Sequence, residues 1–371
     1  MNRTAVEFFA GIGLVRLALQ RAGWSVVFAN DIDSKKYEMY SAAFGGHDYI
    51  LRDIASLQPD EIPDSELATA SFPCIDVSLA GSRAGLNGKH SSTYWHFYSL
   101  IKRMRERKPR FVLLENVVGL LHSAQGEDLR SICRSVNGLG YMCDLLLVDA
   151  VNFVPQSRPR LFIVGVQEPQ SEEHILAAPH PARPGSVTSF MRANRDLGWT
   201  LHPIGALPSR KKTLADIIDH QANSWWDSDR AQHLWSQMSE PHKKLVHGLM
   251  QSENPVYATV YKRVRPTGCR AEVRADGIAG CLRTPRGGSS KQFLIEAHKG
   301  KWRVRNMSPR EYGALQGIPS SFPIRVPENQ ALLGFGDAVC IPAVTWVIRN
   351  TINKHCHSFN FQDHKFAAQA V

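Results

Sequence analysis

Paired cysteines, long apolar runs, internal repeats and acidic residues are what this sequence has least of. Its 7 cysteines (Cys74, Cys133, Cys143, Cys269, Cys281, Cys340 and Cys356) are odd in number and include no CxxC pair. That spacing excludes a disulfide framework and a zinc ribbon, and fits a reducing cytoplasm. His355-Cys356-His357 lacks a fourth ligand, so no metal is expected. Near the start the longest charge-free apolar stretch covers only residues 8–15, far short of the about 20 residues a helix needs to cross a bilayer. Glu7 and Arg16 interrupt it where a secretory leader would be continuous, so neither a leader nor a membrane is expected. The 34 acidic residues are outnumbered by 44 basic ones, for a net charge of +10, which implies a polyanionic partner and says nothing of fold.

What is present is a chain of 371 residues with 43% hydrophobic and 21% charged side chains. That balance excludes disorder and a collagen-like repeat, and the length suffices for two domains. Residues 4–9 and 25–30 predict buried strands, and residues 14–22 and 34–43 predict helices. Apolar runs at 67–72 and 111–114 follow, with a Lys/Arg-rich helix expected over 97–107. Residues 141–148 and 160–166 predict strands too close for a crossover helix, hence an antiparallel pair. The pattern predicts a doubly wound, mostly parallel α/β sheet over residues 1–170, with ligands at the carboxyl ends of its strands. Residues 171–324, rich in Pro, Gly, Ser, Trp and His without sustained period, predict a smaller irregular domain. The segment 325–371 carries an apolar helix over 341–352 that returns to the first domain, and its polar tail from His355 is expected to fray.

Phe9-Ala10-Gly11-Ile12-Gly13 stands where the first strand turns into its helix. Glycine there lets the backbone approach a ligand, and the helix start offers free N–H groups; a tight turn alone would read the same way. The second strand ends at Asp31-Ile32, where a carboxylate can accept bonds from ribose hydroxyls. Asp53-Ile54 follows a third segment and could hold an adenine amine. Helix capping is the alternative for either aspartate. Position at successive strand ends favours a nucleoside cofactor, and the missing third glycine discounts a nicotinamide-dependent dehydrogenase.

Phe72-Pro73-Cys74-Ile75-Asp76-Val77-Ser78 directly follows a buried strand. An accessible cysteine thiolate is a covalent nucleophile, although a lone cysteine is more often a small buried hydrophobe. The next strand ends in Glu115-Asn116-Val117, and Gln156-Ser157-Arg158-Pro159-Arg160 opens the last one. A nucleophile, an acid and two cations at strand ends make a site-like constellation.

In this order the blocks resemble the DNA (cytosine-5) methyltransferase family of restriction–modification type. The shared motifs are the Phe-x-Gly-x-Gly turn, Pro-Cys, Glu-Asn-Val and Gln-x-Arg-x-Arg. Two more come late: Arg305-Asn306-Met307-Ser308-Pro309-Arg310-Glu311 with Leu315-Gln316-Gly317-Ile318-Pro319, and Gly336-Asp337-Ala338-Val339 with Pro342. The resemblance spans residues 4–167 and 303–349; residues 170–302 correspond to the family's variable target-recognition region. It implies an S-adenosylmethionine-dependent methyltransferase fold, with cofactor contacts from Phe9, Gly11, Gly13, Asp31, Ile32, Asp53, Ile54, Pro73 and Asp337. It also implies methyl transfer to C5 of a cytosine flipped out of double-stranded DNA. Cys74 is implied as the nucleophile at C6, Glu115 as the partner of N3 and the exocyclic amine, and Arg160 with Arg158 as the grip on O2. Ser78, Arg83 and Gln156 are implied as DNA contacts, residues 80–92 resembling a loop that closes over the base. A cytoplasmic, prokaryotic monomer follows, with a cognate restriction endonuclease acting separately. Ile75, Val77, Asp31 and Asp337 stand where Gln, Phe, Glu and Asn are commoner, departures that bear on cofactor and loop contacts. A transfer-RNA cytosine-5 methyltransferase on the same scaffold is one alternative. A non-catalytic DNA-binding relative is the other, against which the intact Cys74, Glu115, Arg158 and Arg160 speak.

Residues 261–305 hold 12 Lys and Arg against 3 Asp and Glu, a net +9, so nearly all of the excess charge falls in the recognition region. Arg263, Arg265, Arg283 and Arg286 are its candidate DNA contacts, with Arg270 and Arg274 nearby. Arginine can read guanine bidentately or simply hold phosphates. Trp225 and Trp226 are expected to pack rather than to stack on bases.

Overall fold

In the computed structural model, which describes residues 3–73, 92–167, 180–265, 268–284 and 291–356, two sheets share the chain. The large sheet is built from β1 (Thr4–Phe8), β2 (Ser25–Asp31), β3 (Tyr49–Leu51), β4 (Leu67–Ala70), β5 (Phe111–Val117), β6 (Met142–Asp149) and β7 (Pro159–Val166). Helices α1 (Leu14–Arg21), α2 (Ser34–Phe44), α3 (Ser92–Arg103) and α4 (Glu127–Gly138) connect them. The order is β3-β2-β1-β4-β5-β7-β6. Strands β1 to β5 pair in parallel, while β7 is antiparallel to both β5 and β6, as their short connection requires. Alternate residues of one strand enter different cores: Ala5 joins α1, while Val6 and Phe8 join α3 and α4. That two-sided burial is why the strands read as apolar runs. The chain winds outward from β1 to β3, then returns to place β4 on the other side of β1. The switch point therefore lies between the carboxyl ends of β1 and β4, where an open α/β sheet binds its ligand.

The expected helix over 97–107 instead begins at Ser92 and ends at Arg103, and Arg105 then takes a positive φ of 53° that breaks the helical path. Residues 180–202 stay with the large sheet: Leu147 N–H donates to Ala182, and Cys143 N–H to Gly198. Arg183 pairs with the buried Asp144 at 2.6 Å. This segment covers the edge strand β6, with α5 (Gly185–Ala193) lying beside it.

The middle region is not irregular. It forms a second, antiparallel sheet, ordered β11-β10-β8-β9, from β8 (Val256–Arg265), β9 (Gly268–Arg274), β10 (Gln292–His298) and β11 (Lys301–Asn306). Helices α6 (Ser228–Ser236) and α7 (Glu240–Met250) cover one face. Its strands lacked a visible period because β10 is buried on both sides: Phe293 and Ile295 face α6 and α7, whereas Leu294 joins the core of the large sheet. Trp226 packs on Phe293 with ring centroids 4.9 Å apart, in line with the packing expectation. The separate core falls between Trp226 and Val304, since Met307, Tyr312 and Leu315 already belong to the large core, narrower than the limits 171 and 324.

Helices α8 (Pro309–Gln316), α9 (Glu328–Asp337) and α10 (Ile341–Asn350) close the large core. The expected return of the last helix is seen in Thr345, whose hydroxyl donates to Ala18 of α1. Residues 328–355 are apolar enough to span a bilayer by composition, yet they fold as separate helices that are largely buried in the protein.

Candidate active site

The carboxyl ends of β1, β2, β4 and β5 and the amino end of β7 form one rim. After β1, Phe9 is held at a positive φ of 56°, a conformation that costs a non-glycine residue energy and is kept where surrounding structure enforces it. Gly11 follows at φ +55° with nothing closer than 3.9 Å to an added Cβ, so its face is open to a ligand. Gly13 differs from expectation. A Cβ there would lie 2.3 Å from the Phe44 ring, so this glycine makes room for α2 rather than for a ligand.

Asp31 ends β2 with a buried carboxylate. Its Oδ2 accepts from Gly11 N–H at 2.9 Å, and its Oδ1 from the N–H groups of Ile32 and Asp33. Three of about four lone-pair positions are thereby used, leaving one free. Ile32 beside it is 66% exposed, an unusual position for a large apolar side chain and one suited to cover a flat ring. Asp53 takes the capping alternative, Oδ1 accepting from Ala55 N–H at 2.9 Å. Ile54 is a correction: its side chain is buried in the core. Asp337, at the end of α9, pairs with Lys36 of α2 at 2.8 Å and accepts from the Thr284 hydroxyl. Burial alone would lower the Lys36 ammonium, but Asp337 and Asp31 outweigh it and hold its pKa above the ordinary value. Lys36 lies against Gly11, and no motif in the sequence marks it.

Cys74, Ser78, Arg83 and Arg286 lie outside the described residues, as does the Arg265 side chain. The approach to Cys74 is fixed as far as Pro73. The buried Asn116 amide donates to Phe72 O at 3.3 Å, pinning the exit of β4 beside the end of β5. The Asn of Glu-Asn-Val thus joins the two motifs. Glu115 and Arg160 form an ion pair at 3.0 Å, each side chain less than one-fifth exposed. They meet because Arg160 lies opposite Val117 in the antiparallel register, diagonal to Glu115 on one face.

Two expected contacts are overturned. Gln156 is fully buried: its amide nitrogen donates to Leu315 O at 2.6 Å, and its oxygen accepts from Leu282 N–H at 3.0 Å. It has no surface for DNA. Arg158 is 3% exposed and spends its donors on Leu282 O, Gly336 O and Ala338 O at 2.7, 3.1 and 2.6 Å, not on the open rim. Cys281, absent from the sequence-based site, lies 3.5 Å from Arg158. Burial would raise its thiol, but Arg158 and Arg160 prevail and hold it below its ordinary value. No local sequence signal marks Cys281 or Thr284, because both reach the site only through long-range packing. Arg263 and Arg283 are exposed, Arg263 pairing with Glu272 at 3.2 Å.

A doubly wound sheet with a cofactor-type turn at its switch point and an acid–cation pair on the same rim defines an S-adenosylmethionine-dependent methyltransferase fold. The chain belongs to the family of C-5 cytosine-specific DNA methylases, whose sequence profile matches residues 3–353, and it is therefore a methyltransferase. It is 28% identical over 350 residues to the Type II methyltransferase M.SsoII of Shigella sonnei, covering 94% of this chain and 79% of that one. It is also 28% identical to M.NlaX of Neisseria lactamica, over 91% of this chain and 93% of that one. Among solved structures it resembles the Entamoeba histolytica methyltransferase EhMeth, with TM-score 0.65, 14% identity and coverage of 95% and 99%. The S. pombe Dnmt2 methyltransferase gives TM-score 0.61 at 16% identity, with coverage of 95% and 98%.

Proposed function

We propose that this chain methylates C5 of a flipped-out cytosine within a specific double-stranded DNA sequence, as the modification enzyme of a restriction–modification system. The observation that carries this reading is the Glu115–Arg160 pair, held on the rim beside Phe72-Pro73, directly before Cys74. Cytosine C5 is a poor nucleophile until the Cys74 thiolate adds to C6 and turns the ring into an enamine. Glu115 holds N3 and the exocyclic amine, favouring protonation as negative charge enters the ring. Arg160 faces O2 and stabilises that charge. Loss of the C5 proton then expels the thiolate.

The residues present fit S-adenosylmethionine. Gly11 leaves an open backbone face, Asp31 keeps a free acceptor position for a ribose hydroxyl, and exposed Ile32 offers an apolar cover for adenine. When bound, the cofactor supplies an electrophilic methyl group. Asp337 joins this cleft through Lys36, which lies beside Gly11. The enzyme acts as a cytoplasmic, prokaryotic monomer, and its cognate endonuclease acts separately.

Incubation with labelled cofactor and either duplex DNA or transfer RNA tests the substrate; label only in RNA overturns the proposal. A duplex carrying 5-fluorocytosine at the target traps wild-type enzyme covalently, because fluorine cannot leave as a proton. Cys74→Ala is expected to abolish methylation and trapping while duplex affinity stays within about threefold, since the adduct forms only after binding. Absence of any adduct across candidate sites would favour a binding-only relative.

A further inference from the structure

The segment 278–284 leaves the recognition sheet after β9 and runs along the start of β7. Ala279 bridges to Gln156 in parallel, with Ser157 N–H to Ala279 O at 3.0 Å and Ala279 N–H to Pro155 O at 2.8 Å. Gln156 then accepts from Leu282 N–H, and Arg158 donates to Leu282 O at 2.7 Å. The same two side chains reach the other way. Gln156 donates to Leu315 O at the end of α8, and Arg158 to Gly336 O and Ala338 O at the end of α9. Gln316, itself fully buried, donates to Phe335 O at 2.7 Å and Ala338 O at 3.1 Å. Gly336 is packed so closely that a Cβ would lie 2.6 Å from Arg283 O. Midway along the segment, Cys281 Sγ lies 3.5 Å from an Arg158 guanidinium nitrogen. The last residue, Thr284, donates to Asp337, the partner of Lys36.

We propose that Gln156 and Arg158 are positioning residues that clamp segment 278–284 between β7 and the ends of α8 and α9, so that it holds Cys281 against Arg158, two residues before Arg160, and Thr284 against Asp337. This rests on the methyltransferase reading above and assigns Arg158 a task other than gripping the base. Buried side chains that donate to carbonyls of several segments at once, as Gln156 and Arg158 do, favour one arrangement of the segments they join. Because the segment continues directly from β9, the recognition sheet is set in register with the catalytic pair by the same contacts.

The test uses the full chain with its mapped target duplex. Arg158→Lys keeps the charge but cannot fork to three carbonyls. It is expected to lower single-turnover methylation by about 10²-fold, the scale of a catalytic group displaced by about 1 Å, while duplex affinity and folding are retained. Gly336→Ala, which pushes on Arg283 O without altering Arg158, is expected to reproduce that loss. The double variant should be no worse than the worse single one, because both disturb one contact. If Gly336→Ala leaves the rate unchanged, or if both variants lose rate and the losses multiply, Arg158 acts on the base itself and the proposal falls. Hydrogen exchange supplies a readout independent of activity: Arg158→Lys should deprotect the amides of Ala279 and Leu282. Unchanged protection there overturns the clamp. Failure of wild-type enzyme to methylate DNA would instead overturn the function proposed above and leave this exchange test standing.

Discussion

Glu7 lies within β1, one residue before its end, and neither of its buried carboxylate oxygens makes a well-formed hydrogen bond. Burial pushes its pKa up to about 8, against the pull of Arg16, while nearby Asp31 and Asp48 add to the rise. A carboxyl group whose folded pKa exceeds its unfolded value stabilises the fold fully below about pH 4.5, and that contribution is lost as pH rises through about 8. Glu7→Gln removes the titration. The stability difference between variant and wild type, followed by urea denaturation, should therefore move in the variant's favour from pH 5 to pH 8, a window spanned by the raised pKa. Parallel curves would refute a neutral buried Glu7. Glu115 is also a strand carboxylate, but it reaches the rim, where Arg160 meets it. Sequence marked the rim carboxylate by its neighbours Asn116 and Val117; nothing local marked the interior one.

At the scale of elements, α8 shows how a motif can be conspicuous in sequence and structural in purpose. Ser308 caps the helix and Glu311 returns the bond, a capping box with Pro309 at the first helical position. Glu311 is fully buried and receives Arg305 through two bonds at 2.8 and 2.6 Å, together with the N–H groups of Ser308 and Asp219. Arg305 is the last residue but one of β11, so this pair ties the small sheet to the large core. Breaking it leaves a buried charge without its partner. Glu311→Gln is expected to cost about 3 kcal/mol in urea denaturation, against about 1 kcal/mol for Ser308→Ala. A Glu311→Gln cost no larger than that of the cap would show that the pair contributes little.

For the whole molecule, the net +9 of residues 261–305 is only partly available to a polyanion. Arg305 is buried with Glu311, Arg303 pairs with Glu296 at 2.7 Å, and Arg274 with Asp276 at 2.8 Å. The exposed remainder includes Arg270, directly opposite Arg263 on neighbouring strands, where Glu272 pairs with Arg263 at 3.2 Å. One carboxylate beside two facing guanidinium groups leaves a net positive charge that a phosphate can meet. Neutralising both (Arg263→Gln with Arg270→Gln) should flatten the salt dependence of duplex binding by about 0.9 for each phosphate no longer neutralised, measured as log K against log salt. An unchanged slope would place the DNA-binding surface elsewhere.

The parallel strands, the antiparallel β6–β7 pair, the tight turn after β1 and the placing of the Glu-Asn-Val and Arg160 blocks at strand ends were legible in sequence, because each depends on local periodicity, glycine positions or short connections. Strand β10 was not, since burial on both faces erases the alternation that marks a strand. The tasks of Gln156, Arg158 and Gly13 were hidden for a related reason. A buried polar group or a glycine looks the same in sequence whether it faces a ligand or another segment. Which it faces is decided by what the rest of the chain packs against it: here Leu282 and Leu315 on Gln156, the end of α9 on Arg158, and Phe44 on Gly13.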